Sequence, residues 1–360
     1  MTQDVIFEVK GPIGLITLNR PKALNALTLE MILEIGRQLR EWAGNSAVSA
    51  VVIRGAGDRA FCSGGDIRAI WEDGKDMREG RGEGRIARNF FREEYRLNRQ
   101  IKVFPKPYIA LIDGITMGGG VGVSVHGSHR VTTERTLFAM PEAGIGLFPD
   151  VGATYFLPRM PGYTGRYIGL TGARLQAGDL HYLGIGTGHV PSDKLDALVE
   201  DFAKAAWSTD ADPYKLADDI TAGHEIKVDP PILAQHRELI DRAFQHERVE
   251  EVLADLEADG SEFAAAAIKS MRGLSPTSLK VTLAQLHKGV ELSFDDAMRL
   301  EFRITRALLN DHDVYEGIRA AVIDKDRSPK WSPASLEGVS EADVDRHFAE
   351  LGDDELTFED

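Results

Sequence analysis

PYIALIDGITMGGGVGVSVHGSHRVTTERTLFAMPEAGIGLFPDVG, residues 107–152, is the stretch whose reading decides the fold. Pro107–Ile112 is a short apolar run rich in β-formers and closed by Asp113-Gly114, which predicts a buried strand. Three consecutive glycines follow, Gly118, Gly119 and Gly120, and then small and apolar residues as far as His126, which predict a helix. A strand, a glycine turn and a helix start leave backbone N–H groups bare, and such groups can meet an anion or a developing oxyanion. Two further strands, Arg130–Thr133 and Thr136–Met140, lead into Pro141-Glu142, and Asp150 lies eight residues beyond Glu142. Two carboxylates in Gly- and Pro-rich loops near such a turn point to acid–base or nucleophilic work on a carbonyl. A plainer reading stands beside this one. A glycine triplet can be a close packing point, Glu142 a helix-cap carboxylate, and Asp150 the N-cap of a helix starting at Val151.

Working outward toward the N-terminus, Val5–Val9 and Leu15–Leu18 flank Lys10-Gly11-Pro12 and read as a hairpin. Arg20 and Lys22 sit in the loop that follows. Thr28 is placed to cap a helix in which Leu29, Ile32, Leu33, Ile35, Leu39 and Trp42 recur at helical spacing. Ala50–Arg54 is a further apolar strand, so the order of elements is that of a layered α/β fold. The loop GAGDRAFCSGGD, residues 55–66, holds a second glycine turn at Gly64-Gly65, with Asp66 directly after it. An oxyanion hole needs two donors on one oxygen, and the sequence does not place the two turns together. Residues 72–85 are charged and Gly-rich and read as a mobile surface loop. Residues 86–101 read as a helix with Glu93 and Glu94 in its middle, where a solvated face is the plain reading.

Beyond Gly152 the pattern turns helical. Helices fit 162–170, 176–184, 192–206, 230–244, 247–257, 260–271, 276–289, 294–310 and 314–324, with N-caps at Ser275, Ser293 and Ser340 and a frayed acidic tail, DDELTFED. This divides the chain into an α/β core over 1–205 and a helical domain over 206–360. The net charge of −15 argues against nucleic acid or an anionic membrane as a partner bound through bulk charge. The single cysteine, Cys62, excludes an internal disulfide and a cysteine metal cluster. Neither a His-Glu-x-x-His nor a Gly-x-Ser-x-Gly motif is in register, so His126 and His129 read as structural and neither a metal nor a serine triad is expected. The first residues show neither leader nor transit character, and the cytoplasm is the expected compartment.

Three segments, LITLNRPKALNAL at 15–27, AFCSGGDI at 60–67 and DGITMGGGVG at 113–122, resemble the crotonase (enoyl-CoA hydratase/isomerase) superfamily. EEYRLN at 93–98, TLFAMPEAGIGLFPDVGATYFLPRMPG at 136–162, SPTSLKVTL at 275–283 and DVYEGIRAAVIDKDRSPKWSP at 313–333 most resemble its hydrolases of short 3-hydroxyacyl-CoA thioesters. The resemblance implies a spiral of ββα units with a C-terminal helical region. It implies an oxyanion hole from the Gly65 and Gly119 N–H groups, with Glu142 and Asp150 as catalytic carboxylates. Glu94, Asp66, Lys22, Ala23 and Leu24 would meet the substrate, Glu94 through its 3-hydroxyl. CoA would arrive as part of the substrate, with neither cofactor nor metal, and a homo-oligomer is possible. The second glutamate of the hydratases would fall at Gly122, which has no side chain to move a proton. A hydratase or isomerase using Glu142 with Asp150, and a silent acyl-CoA-binding subunit, remain the alternatives.

Overall fold

The computed structural model describes residues 3–207 and 212–358. The expected mixed α/β class is what it shows. The chain forms two compact units, and each takes three separate pieces of it: residues 1–66, 96–138 and 174–232 in the first, and 67–95, 139–173 and 233–360 in the second. The division expected at residue 205 falls inside the first unit; the sequence order of elements carries no signal for such interleaving.

The first unit is built on strands β1 (Val5–Lys10), β2 (Ile13–Leu18), β3 (Ala50–Gly55), β4 (Ala60–Cys62), β5 (Tyr108–Ile112), β6 (Ile115–Met117), β7 (His129–Thr132), β8 (Leu137–Ala139) and β9 (Gly188–His189). Six of them make one sheet in the order β1-β2-β3-β5-β7-β9. The β1/β2 hairpin is antiparallel and the other pairings are parallel. Every residue of β2 and β5 is buried, as expected of parallel strands covered on both faces. Alternate side chains make the core: Ile13 and Leu15, Ala50 and Val52, Ile109 and Leu111, and Val131 face Leu198, Val199 and Phe202 of helix Leu195–Lys204. Thr28 caps helix Leu29–Gly44 by accepting the Met31 N–H at 3.2 Å, a bond worth about 1 kcal/mol.

The second sheet positions the glycine turns. Its order is β4-β6-β8, with β4 parallel to β6 and Cys62 beside Thr116. Parallel neighbours end at the same edge, so the chain leaves β4 toward Gly64-Gly65 and β6 toward Gly118-Gly119 side by side. After the triplet there is only one helical turn, Gly119–Gly122, rather than a helix to His126; glycine gives a helix little reason to continue.

The second unit is helical among its described residues. Helix Ile67–Arg78 takes up the first half of the segment expected to be a mobile loop. Ile70 is buried and the Trp71 indole donates to the Tyr315 carbonyl at 2.9 Å, so a few apolar anchors outweigh the charged composition. Helices Val249–Asp259, Glu262–Gly273, Pro276–Lys288 and Phe294–Leu308 follow expectation, with Ser275 and Ser293 as N-caps and a capping box at Ser340. The tail is not frayed as far as it is described. Leu356 is fully buried, Glu355 pairs with Arg303 at 2.7 Å, and Asp354 pairs with Arg92 at 2.6 Å. Residues 359 and 360 of that tail lie outside the described residues. Helix Pro213–Ala222 of the first unit was not expected; its N-cap Asp212 accepts the Tyr214 N–H at 2.9 Å.

Candidate active site

In the first unit, the two glycine turns meet. A Cβ placed on Gly64, which has φ 116, would lie 3.7 Å from the Gly119 nitrogen. A Cβ on Gly120 would lie 2.2 Å from the Cys62 carbonyl oxygen, an impossible contact, so this crossing of backbones requires glycine. Leu27 pairs with Gly65 as an isolated parallel bridge. Leu27 donates to the Gly64 carbonyl at 2.9 Å and accepts from Asp66 N–H at 2.8 Å, which leaves the Gly65 N–H outside that pairing. Gly119 opens its helical turn, where an N–H has no partner within the turn. Neither N–H has a backbone partner among the described residues. Two adjacent unengaged N–H groups are what an oxyanion needs.

The rim of this turn is held by Arg20. Its guanidinium donates to the Ala26 carbonyl at 2.6 Å and to Asp66 Oδ2 at 2.9 Å. Asn25 fixes the same loop from inside, donating to the Ala56 and Ala60 carbonyls at 2.9 Å each. Leu24 and Asn25 both take left-handed conformations, φ 52 and 57. Asp66 is thus tied to Arg20, while Lys22 and Ala23 are exposed and Leu24 is half-buried.

The second unit gathers carboxylates. Glu94 is 2% exposed, Glu142 6%, Asp150 5% and Glu301 0%. A solvated face is therefore the wrong reading of Glu94. Asp150 is no N-cap either: the short helix Ala153–Phe156 is preceded by Gly152, and Asp150 Oδ2 accepts the Tyr95 hydroxyl at 2.7 Å. That hydroxyl also lies 2.7 Å from Thr305 Oγ1. Glu142 stands at the head of a single turn, Glu142–Ile145, whose Ala143 carbonyl accepts the Ser275 N–H at 3.2 Å. Glu94 Oε1 and Glu142 Oε2 are buried without a hydrogen-bond partner. Orphaned carboxylate oxygens are rare in a folded interior and mark a place where a proton, water or ligand group belongs.

Burial and neighbouring charge set the proton affinities here. Burial first, then the Asp150 and Glu301 charges, holds Glu94 well above the usual carboxylate range. Burial, Asp150, Glu94 and Glu301 do the same for Glu142, against its own backbone N–H. Burial pushes Asp150 up to about 7, with the Tyr95 hydroxyl pulling it back. Close carboxylates in a dry site cannot all ionise together, so the cluster holds protons near neutral pH.

Tyr95, Thr305 and Glu301 were not anticipated. One signal was present for the last two. Phe294, Met298, Glu301, Thr305 and Leu308 follow one stripe of helix Phe294–Leu308, and all are buried. A glutamate and a threonine inside an apolar stripe ask for partners.

The Enoyl-CoA hydratase/isomerase family pattern matches residues 13–348. The chain belongs to that family, whose fold and acyl-CoA chemistry suit the paired glycine turns. It is 48% identical over 354 residues to a 3-hydroxyisobutyryl-CoA hydrolase, mitochondrial, of Danio rerio, covering 98% of this chain and 91% of that protein. It is 46% identical over 357 residues to the Homo sapiens protein of the same name, covering 99% and 91%. Among solved structures, a carnitinyl-CoA dehydratase from Mycobacterium thermoresistibile is 41% identical, with TM-score 0.91 and 99% of both chains covered. An enoyl-CoA hydratase from Rhodobacter sphaeroides 2.4.1 is 39% identical, with TM-score 0.89, covering 99% of this chain and all of that one. The expected cytoplasmic location is corrected by these relatives, which are named mitochondrial; composition and a local motif scan do not encode a compartment. No helix is long and apolar enough to cross a membrane among the described residues.

Proposed function

We propose that this chain hydrolyses a short 3-hydroxyacyl-CoA thioester, 3-hydroxyisobutyryl-CoA above others, to the free hydroxy acid and CoA, a step of valine breakdown. One observation carries the choice. By the family resemblance a hydratase's second glutamate would fall at Gly122, which is buried and has no side chain, whereas Asp150 is buried with the orphaned Glu142 in one unit. The curated relatives' name agrees with this reading.

In this mechanism the Gly65 and Gly119 N–H groups donate to the thioester oxygen as it gains charge, each such donor being worth about 3–4 kcal/mol of barrier. Glu142 either attacks the carbonyl, expelling the CoA thiolate and forming a mixed anhydride that water then hydrolyses to the free acid, or draws the proton from a water that attacks the carbonyl directly. Asp150, poised near neutrality, takes up and returns a proton as the thiolate leaves. Glu94, held protonated or shared by burial, pairs with the 3-hydroxyl and selects hydroxyacyl chains. Lys22, Ala23, Leu24 and Asp66 line the path of the CoA moiety. No metal or redox group enters this route.

The names of the two structural neighbours favour a second reading, hydration of an enoyl-CoA by Glu142 with Asp150. Thiol release from 3-hydroxyisobutyryl-CoA and loss of enoyl absorbance from crotonyl-CoA, measured side by side, separate the two. Faster thiol release is expected; hydration without thiol release would replace the hydrolase reading.

A further inference from the structure

The loop carrying Asp150 is bent against its own preference. Val151 has φ 50, a left-handed conformation that a β-branched residue adopts only when its surroundings impose it. What imposes it lies on two helices of the same unit. Glu301, on helix Phe294–Leu308, accepts the Gly152 N–H on Oε2 at 2.7 Å and the Thr154 N–H on Oε1 at 2.8 Å. Gln285, on helix Pro276–Lys288, donates to the Pro149 carbonyl and to Thr154 Oγ1, both at 2.7 Å. Residues 149–154 are therefore gripped on either side of Asp150.

Glu301 is an expensive choice for this task. A Ser or Asn within the loop would cap a single helical turn locally. Here a fully buried carboxylate, brought in from 147 residues away, sits among other acids. Both of its oxygens accept amides, which favours the anion, while burial and the Asp150 charge push it up to about 8. A buried acid is retained against that penalty when its geometry matters.

We propose that Glu301 is a positioning residue for the reaction: by holding the Gly152 and Thr154 amides it fixes the left-handed Val151 turn, and with it the placement of the Asp150 carboxylate. The reaction in question is the hydrolysis proposed above, and the role rests on that reading. The titratable groups around Asp150 are Glu94 and Tyr95 from helix Arg85–Lys102, Glu142 from its own turn and Glu301; Thr305 and Gln285 are neutral.

The test compares the full-length wild type with Glu301→Gln, Glu301→Asp and a fold control, Leu256→Ala, which opens a buried position of helix Val249–Asp259. Gln turns an NH2 toward one amide. Asp keeps the charge but is one methylene too short to reach both. In each Glu301 variant kcat for 3-hydroxyisobutyryl-CoA should fall about 10²-fold, the usual effect of a misplaced catalytic group. KM should stay within about twofold, since ground-state binding is untouched. Amide hydrogen exchange at residues 152–154 should quicken, and Leu256→Ala should lower Tm without lowering kcat. Glu301 variants with wild-type kcat and unchanged exchange would overturn the proposal, as would a kcat loss matched by Leu256→Ala at equal Tm loss. A wild type that releases no thiol would sink the hydrolysis reading instead; the exchange rates at 152–154 would still report whether Glu301 holds the turn.

Discussion

The two halves of the candidate machinery are built on different principles. The glycine turns of the first unit use backbone alone. Two parallel strands deliver Gly65 and Gly119 to the same edge, and the absence of side chains lets them meet. The carboxylate cluster of the second unit uses side chains from helix Arg85–Lys102, the Glu142 turn, the Asp150 loop and helix Phe294–Leu308, all of them buried. Backbone donors are placed by the fold and cannot be tuned one at a time. Buried acids can be tuned, but their charges interfere: after burial itself, Asp150 and Glu301 raise the proton affinity of Glu94, and Asp150, Glu94 and Glu301 that of Glu142. The first half should therefore fail by steric damage, and the second by shifts in rate and pH dependence.

The largest expected effect lies in the second half. Glu142→Gln removes the group proposed to act on the carbonyl and should lower kcat about 10³-fold with Tm nearly unchanged, measured by thiol release and calorimetry. In the first half, Gly120→Ala drives a methyl into the Cys62 carbonyl. It should lose activity about 10²-fold together with a fall in Tm, because strand ends as well as donors move. A Gly120→Ala protein with normal Tm and normal rate would erase the contrast between the halves.

Charge gives the next test. Asp150 titrates at about 7 in the fold against an ordinary 3.8. Between those values the native state holds a proton that the unfolded chain has lost, so stability falls as pH rises through that window. Asp150→Asn abolishes that term and should stabilise the protein at pH 8 by one to a few kcal/mol, on the order of the shift's full worth, and by little at pH 4, read from urea denaturation at both pH values. Tyr95→Phe removes the bond that favours the Asp150 anion. Its proton affinity should rise, and the acid limb of the kcat profile should move to higher pH. The smallest effect is expected at Lys22, exposed on the turn: Lys22→Ala should raise KM a few-fold, about what a surface charge supplies, and leave kcat alone.

How much of this was legible follows from the same contrast. Gly64-Gly65 and Gly118–Gly120 are local signals, and so were the strands before them and the Gly- and Pro-rich loops that marked Glu142 and Asp150; the resemblance then moved Glu94 from a solvated face to a substrate contact. That the two turns touch depends on β4 lying beside β6, a pairing between residues far apart in sequence. Residues 72–85 misled because a helix held by Ile70 and Trp71 looks, by composition, like a charged loop. Glu301 and Tyr95 escaped because their partners are contributed by remote segments, and only the break in an apolar stripe marked Glu301. The interleaving of the two units has no local signature at all.

A buried acid pair, Glu142 with Asp150, is proposed to drive thioester hydrolysis without the second glutamate of a hydratase. Thiol release from 3-hydroxyisobutyryl-CoA, with wild type beside Glu142→Gln and Asp150→Asn, tests it most directly. Rapid release by wild type that collapses in both variants is the predicted result. Release that persists undiminished in both variants, or none from wild type while crotonyl-CoA is hydrated, would contradict it.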